Sequence, residues 1–383
     1  MMKIVIASDS FKGSSSSLEV ANSIEKGLLR SKLDLDIVKV AVADGGEGTM
    51  EALVLAFDGY YKEVEVLDPL ARLISSRYGV LDKDSVVIEM AAASGLTLIS
   101  KAEQSPLQTT SYGTGQLIRE VMNDGYTNIY IGLGGSATTD GGVGAVQALG
   151  GSFLDINGNE VGFGNQALKS IETIDISNID KRLNDVKITI LSDVNNPLIG
   201  KNGAARVFGP QKGATDTEVE IMESNLTHYS SKVKEFINID ISNLSKAGSA
   251  GGLGGGLLAF CKAEMTVGID KILNLINFKD TIKDADMVIT GEGKIDGQSI
   301  YGKTPVGVAK LAKKNNIFTV AIVGSVGEGA DKVYKKGIDM IISIVNKPMT
   351  LEKAILKVDK LVSEAAYNFI NAYNNIIKYN KKN

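Results

Sequence analysis

Six short apolar, strand-like runs in this chain each give way at once to a loop rich in Gly, Asp, Ser or Asn. The loops are Asp9-Ser-Phe-Lys-Gly13-Ser14, Asp44-Gly-Gly-Glu47-Gly-Thr49, Gly132-Leu-Gly-Gly-Ser136-Ala-Thr-Thr-Asp140-Gly-Gly142, Ser192-Asp193-Val-Asn195-Asn196, Gly291-Glu292-Gly-Lys-Ile-Asp296-Gly297 and Gly324-Ser325-Val-Gly327-Glu328-Gly329. Glycines let backbone amides approach phosphate oxygens, while carboxylates and lysines beside them hold a metal ion and spread developing charge. In an open parallel sheet, loops leaving the carboxyl ends of the strands converge on one crevice, where ligands bind. The residue types and their placement therefore imply phosphate-handling chemistry.

The 383 residues contain one histidine, His228, and one cysteine, Cys261. His228 lies in a polar helical stretch, Glu218 to Phe236, away from the Gly-rich loops, and reads as an exposed helix residue. On that reading a Ser-His-Asp triad, a histidine acid and a histidine metal cluster are excluded, so any base is a carboxylate, a lysine or water. Phosphoryl transfer tolerates this, because its catalysis is mostly positioning and charge stabilisation, and the balance favours a kinase over a hydrolase. Cys261 alone forms neither an internal disulfide nor a cysteine metal site and is expected as a buried inert thiol.

Composition narrows the class further. A net charge of −4 with mixed signs gives no basic footprint for nucleic acid. No apolar stretch approaches the roughly 20 residues of a membrane span, and the N-terminal Met1-Met2-Lys3-Ile4-Val5-Ile6 enters a strand directly. A cytoplasmic globular protein with no membrane partner is expected, about two or three domains long, and its 44% hydrophobic residues suffice for ordinary cores.

The elements that must carry the loops alternate at both ends of the chain. Strand Lys3–Ala7, helix Ser17–Arg30, strand Ile37–Ala43 and helix Thr49–Phe57 make βαβ units. From Tyr61 to Ala93 three strand-like runs follow without helices, and Asp68-Pro69 marks a crossing between domains. After Asp284 the alternation returns: strand Met287–Thr290, helix Pro305–Lys314, strand Phe318–Val323, a helix, strand Met340–Val345 and a final long helix, Leu351–Lys378. The pattern predicts a discontinuous α/β domain from residues 1–68 and 283–383, interrupted by a second α/β domain, 69–282.

Several local patterns carry competing readings. Gly297-Gln-Ser-Ile-Tyr-Gly302-Lys303-Thr304 fits the P-loop expression, but its first Gly does not follow a buried strand directly. Thr304 as N-cap and Pro305 at the first helical position, with Lys303 beside free amides, offer an anion site instead. Gly132-Leu-Gly134-Gly-Ser-Ala137 with Asp155 matches a dinucleotide fingerprint, yet Thr138-Thr-Asp-Gly-Gly142 would break the helix that the fingerprint needs. The run Gly248–Gly256 reads equally as a flexible linker or as close backbone packing or an anion site at a helix end. Any one of Asp44, Asp140 and Asp296 reads as a turn residue; their recurrence at several strand ends points to function.

Seven segments, taken in order, closely resemble the type I glycerate kinases: Asp9-Ser-Phe-Lys-Gly, Ala43-Asp-Gly-Gly-Glu-Gly-Thr49, Ile131-Gly-Leu-Gly-Gly-Ser-Ala, Ser192-Asp-Val-Asn-Asn-Pro-Leu, Val207-Phe-Gly-Pro-Gln-Lys-Gly213, Ala250-Gly-Gly-Leu-Gly-Gly-Gly and Ile289-Thr-Gly-Glu-Gly-Lys-Ile-Asp-Gly297. The resemblance runs from Lys3 to about Val345 and departs from the family pattern at Ser15, Thr139 and Lys294. It implies phosphorylation of glycerate by ATP with Mg²⁺, 2-phosphoglycerate being the favoured product. It also implies a flavodoxin-like parallel-sheet domain interrupted by one resembling the restriction-endonuclease fold.

Within that framework Lys12, Lys212 and Lys294 are candidates to offset charge on the transferring phosphoryl group. Asp44, Glu47, Asp193 and Asp296 are candidate Mg²⁺ ligands, with Asp44 and Asp193 also candidate bases. Ser10, Gly45, Gly46, Ser136, Asn195, Glu292, Lys303 and Thr304 are assigned to cofactor binding. Two other classes stay open at this point: an NAD-dependent oxidoreductase acting on a small hydroxy acid, and a non-catalytic hydroxy-acid sensor.

Overall fold

A computed structural model of the chain describes residues 1–380. Its strands, in chain order, are β1 (Met2–Ser8), β2 (Leu35–Lys39), β3 (Tyr60–Leu67), β4 (Leu73–Val80), β5 (Ser85–Glu89), β6 (Asn128–Gly132) and β7 (Ser152–Leu154). They continue as β8 (Thr173–Asp175), β9 (Lys187–Leu191), β10 (Glu264–Thr266), β11 (Met287–Ile295), β12 (Phe318–Val326) and β13 (Met340–Ser343). The chain divides into two compact units.

The first unit comprises Met1–Asp44, Glu51–Ala56 and the chain from Val267 onward. Its sheet is wholly parallel in the order β13-β12-β11-β1-β2. Ile4, Val5, Ile6 and Ala7 of β1 are all fully buried, as a strand covered on both faces demands. Because side chains alternate along a strand, Ile4 and Ile6 pack with Ile24, Val362 and Ile370 on one side. Val5 and Ala7 meet Ile269, Phe278 and Val308 on the other. Counted from the β2 edge by order within this sheet, the strands run 2-1-3-4-5. The winding reverses between β1 and β11, and in doubly wound sheets the ligand crevice opens beyond the carboxyl ends of the strands at such a point.

The second unit comprises Gly45–Met50 and Phe57–Thr266. Its main sheet has the order β10-β9-β6-β5-β4-β3, in which the first four strands are parallel and β4 and β3 run antiparallel. Strands β7 and β8 form a separate antiparallel pair. One continuous core joins Val86 and Ile88 of β5, Ile129 and Ile131 of β6 and Ile188 and Ile190 of β9 to helical residues such as Leu117, Val146, Leu226 and Leu257.

Several sequence expectations are displaced. Asp68-Pro69 is a hairpin turn rather than a crossing: buried Asp68 accepts hydrogen bonds from Leu70 N (2.7 Å), Arg72 N (2.9 Å) and Arg72 Nε (2.6 Å), which closes β3 onto β4. At the other boundary, helices Gly268–Leu275 and Phe278–Thr281 bury Ile269, Leu273 and Phe278 against the first unit's sheet, although they precede residue 283. Strand β2 ends at Lys39 because its ladder with β1 stops there, and Val42 N turns to the Ser17 hydroxyl (3.1 Å). The final helix is two, Leu351–Ile355 and Val358–Asn380, separated by a turn at Leu356–Lys357. His228 is half-buried, its ring Nε2 2.8 Å from the Ile171 carbonyl. Gly248–Gly256 is close packing and not a linker: a Cβ on Gly251 would lie 2.1 Å from the Thr138 carbonyl oxygen, and one on Gly256 2.6 Å from that of Gly141. Cys261 is buried and free, and burial pushes its thiol up to about 12.

Helix Ser17–Leu29 shows how tightly the first unit is drawn. Ser16 and Glu19 form a reciprocal capping box that fixes its start. Near its other end Gly27 lies against the C-terminal helix, where an added Cβ would stand 2.2 Å from the Ser363 carbonyl oxygen and 2.8 Å from Ala366 Cβ. Alanine has the better helix propensity by about 1 kcal/mol, but overpacking of this kind costs about 1–3 kcal/mol. Gly27→Ala is therefore expected to lower stability, read as a reduced denaturation midpoint with an unchanged m-value. An unchanged or raised midpoint would show that the two helices can part without cost.

Candidate active site

In the first unit, Asp9 leaves the carboxyl end of β1 beside the reversal point and is almost fully buried. Its Oδ1 accepts from Ser10 N at 2.7 Å, and its Oδ2 accepts from the Thr304 hydroxyl at 2.8 Å. Burial and then the charge of Asp44 push its carboxyl up to about 7, against the opposing effects of the Thr304 hydrogen bond and the Lys12 charge. Thr304 therefore works as a ligand of Asp9 and not as a helix cap: the cap is Lys303, in extended conformation, and Thr304 opens helix Thr304–Lys314.

Glu292, from β11, is the second buried acid of this unit. It accepts from the Ser299 hydroxyl at 2.6 Å and from Lys303 Nζ at 3.2 Å. Burial raises its pKa, the Lys303 charge pulls it back, and Asp44 adds to the rise. Lys303 is thus anchored with its ammonium near the start of a helix. Lys294 instead points outward, its side chain 63% exposed, and pairs with Asp296 at 3.3 Å. Asp296 also accepts from Gln298 N at 2.9 Å, so its carboxylate shapes the turn after β11.

In the second unit, the loop after β6 runs from Leu133 to Gly142 before helix Val143–Ala148 begins. No helix starts inside the Gly132–Ala137 motif, and Asp155 accepts from Asn157 N and Asn159 N, both at 2.9 Å, in an exposed turn. The dinucleotide geometry is therefore absent. Asp140 holds the loop: its Oδ2 accepts from Ser111 N (2.7 Å) and Ser111 Oγ (2.8 Å), and its Oδ1 from Gly142 N (3.1 Å). Lys212 is fully buried behind this loop, where it donates to Ser136 Oγ at 2.8 Å and to the Thr138 carbonyl. Burial lowers its ammonium to about 7, while the Asp140 charge opposes the fall. Two of its three donors hold the shape of this loop.

The segment Gly45–Met50 lies against the ends of β6 and β9. A Cβ on Gly45, whose φ is +95°, would stand 2.5 Å from the Leu191 carbonyl oxygen, and one on Gly134 2.6 Å from Gly46 Cα. Glu89, at the end of β5, accepts from Met50 N at 2.8 Å. Burial raises the Glu89 pKa, the Met50 amide opposes this, and the exposed Glu47 adds to it. After β9, Asp193 is half-buried and Asn195 exposed. Lys246 donates to the Ser192 carbonyl at 3.0 Å; burial lowers its pKa and the charge of Asp193 opposes that.

The structure thus brings Ser10, Lys12, Asp44 and Thr304 together around Asp9 in the first unit, where Glu292 holds Lys303 and feels the charge of Asp44, and brings Ser136 and Lys212 together in the second. Asp9, Ser299, Glu89 and Lys246 were not singled out from sequence. A signal existed for Asp9, which is a carboxylate directly after the first buried strand. Among the described residues no three His, Cys, Asp or Glu side chains converge as a closed metal cage requires. Mg²⁺ in phosphoryl-transfer sites takes one or two carboxylates and completes its shell with phosphate oxygens and water. Asp44, whose charge raises the pKa of the neighbouring Asp9, fits that donor set.

Comparison with known proteins agrees with the ordered motifs. The model of the glycerate kinase family matches residues 4–374. The glycerate 2-kinase of Escherichia coli K12 is 47% identical over 92% of this chain and 93% of its own length. The glycerate kinase of Halalkalibacterium halodurans is 44% identical over 96% of this chain and 97% of its own. A crystal structure from Salmonella typhimurium LT2, assigned to glycerate kinase 2, superposes with a TM-score of 0.85 at 44% identity, covering 98% of this chain and 99% of that one. With the family model and near full-length relatives in agreement, this chain belongs to the glycerate kinase family.

Proposed function

We propose that the chain transfers the terminal phosphoryl group of ATP to a hydroxyl of glycerate, with Mg²⁺, in the cytoplasm, releasing ADP and a phosphoglycerate, 2-phosphoglycerate being favoured. The observation that carries this reading is the family match across residues 4–374, joined to a buried carboxylate at the winding reversal of the first unit's sheet. The strand order of that sheet supports its flavodoxin-like reading. No described helix is long and apolar enough to cross a membrane.

The acceptor hydroxyl must lose its proton as the new P–O bond forms. A base whose pKa lies near the working pH does this best, and Asp9, held at about 7, meets that condition. Thr304 and the Ser10 amide fix its two oxygens, so the lone pair that takes the proton has one orientation. Lys303, tethered by Glu292, presents positive charge to phosphate oxygens at the start of helix Thr304–Lys314. Asp44 would hold Mg²⁺, whose charge would offset that on the phosphate oxygens.

The first test is stoichiometric. ADP release is expected only when ATP, glycerate and a divalent metal are all present, with 2-phosphoglycerate identified by NMR; release indifferent to glycerate would refute the reading. Asp9→Asn is expected to lower kcat about 10²- to 10⁴-fold with a melting temperature no lower than wild type at pH 8. In the wild type kcat/KM should rise with pH through about 7, since the base must be unprotonated. Asp193→Asn is the comparison, because Asp193 is the alternative base; a loss there as large as in Asp9→Asn would return the proton to Asp193.

Lys212 gives a stability prediction with a defined sign. Its folded pKa of about 7 lies below the ordinary 10.5, so between those values the unfolded chain binds more protons and stability rises with pH. The melting temperature of wild type minus that of Lys212→Met is expected to increase from pH 7 to pH 10. A flat difference would mean that Lys212 is not held near neutrality.

A further inference from the structure

We propose that an apolar cavity at the carboxyl edge of the first unit's sheet takes the purine base of ATP. This rests on the phosphoryl-transfer reading above and assigns the site that would hold the nucleoside. The cavity has a volume of about 360 Å³ and is lined by Phe11, Ile344, Met349 and Ile355 over the backbones of Gly293 and Gly324. That size falls in the usual range of ligand pockets, roughly 300–1,000 Å³.

Three observations converge on this occupant. The first is the floor. Gly293 lies in β11 without a positive φ, and a Cβ there would meet nothing closer than Phe11 Cα at 3.7 Å and Lys12 N at 3.8 Å. Neither backbone conformation nor packing requires glycine, so the missing side chain serves to keep the cavity floor bare. Gly324 differs: a Cβ there would stand 2.3 Å from the Gly293 carbonyl oxygen, so the two backbones lie in contact.

The second is the rim. Val345, Leu351 and Ile355 are 38%, 72% and 37% exposed, which leaves apolar side chains at the cavity mouth with water as a neighbour. A purine stacked there would cover them, whereas glycerate, a three-carbon hydroxy acid, has no apolar face to offer. The third is the polar end. Lys12 and Ser14 belong to the lining, and Lys12 acts electrostatically on Asp9, so a nucleotide with its base in the cavity would direct its phosphates toward the switch-point acids. Ser14 Oγ reaches the Ile355 carbonyl at 3.5 Å, joining the β1 loop to the short helix that walls the cavity.

Gly293→Val fills the floor while suiting a strand. In the full-length protein it is expected to keep its melting temperature and its KM for glycerate within about twofold. The KM for ATP, and the Kd of ADP measured by calorimetry without glycerate, should both rise about tenfold or more, the effect of one misfitting apolar group in a pocket. A folded variant with unaltered ADP affinity overturns the assignment. Photolabelling of the wild type with 8-azido-ATP is the second measurement: the label should fall on the peptide containing Met349 and Ile355, and a label elsewhere overturns the proposal even if Gly293→Val fails to fold. ADP binding that Gly293→Val weakens, with no phosphate reaching glycerate, would keep the cavity assignment and sink the proposed reaction. Turnover of glycerate with an ATP KM that ignores Gly293→Val would do the reverse.

Discussion

Direct contact between backbones at strand ends is the constraint on which the rest of this protein depends. Gly45 against Leu191, Gly134 against Gly46, Gly251 against Thr138 and Gly324 against Gly293 all place a would-be Cβ between 2.1 and 2.6 Å from another main-chain atom. Real Cβ atoms do not come so close, so each contact exists only because one partner is glycine. Loops drawn together in this way leave little room for water, and the polar side chains among them become buried. The abundance of glycine in these loops, which suggests phosphate binding when met in sequence, is in large part the requirement of stacking one loop on the next.

Burial then sets the electrostatics. In the first unit, Asp9 and Glu292 are both raised chiefly by loss of water and then adjusted by neighbours, Thr304 and Lys12 for Asp9, Lys303 and Ser299 for Glu292. In the second, Lys212 is lowered by the same cause acting on the opposite charge. The consequences differ with the partners. Lys212 gives its protons to Ser136 and Thr138 and so fixes a loop, whereas Asp9 has a raised pKa together with a second acid nearby, the combination found where proton transfer and metal binding occur. Asp140, whose carboxylate is saturated by Ser111, Gly142 and Gly144, is equally buried and purely architectural.

The carboxyl edge of the first unit's sheet presents two kinds of surface. The Asp9 and Glu292 networks hold charge and aligned hydrogen bonds. The cavity over Gly293 and Gly324, walled from Ile344 to Ile355, offers a largely apolar surface along the same sheet edge. Both follow from a parallel sheet whose strand ends are occupied by short loops and not by long side chains.

Much of this was legible in the residue order. Continuous apolar runs such as Ile4–Ala7 determine buried parallel strands, and the alternation at both ends of the chain shows where βα units lie. A single histidine away from the Gly-rich loops and a single cysteine turn the search toward carboxylates, lysines and water, and seven ordered motifs were enough to indicate the family. Beyond that, partners far apart in the chain decide. Nothing local tells that Thr304 bonds Asp9 across 295 positions, or that Lys212 is sealed behind Ser136 while Lys294 stands in solvent. The hairpin at Asp68 and the docking of Phe278 on the first sheet likewise moved the domain boundaries away from where local breaks suggested. The physical reason is the same in each case: apolar periodicity and glycine placement are properties of neighbours in sequence, whereas desolvation, charge coupling and hydrogen-bond partnership are properties of neighbours in space, and only folding creates those.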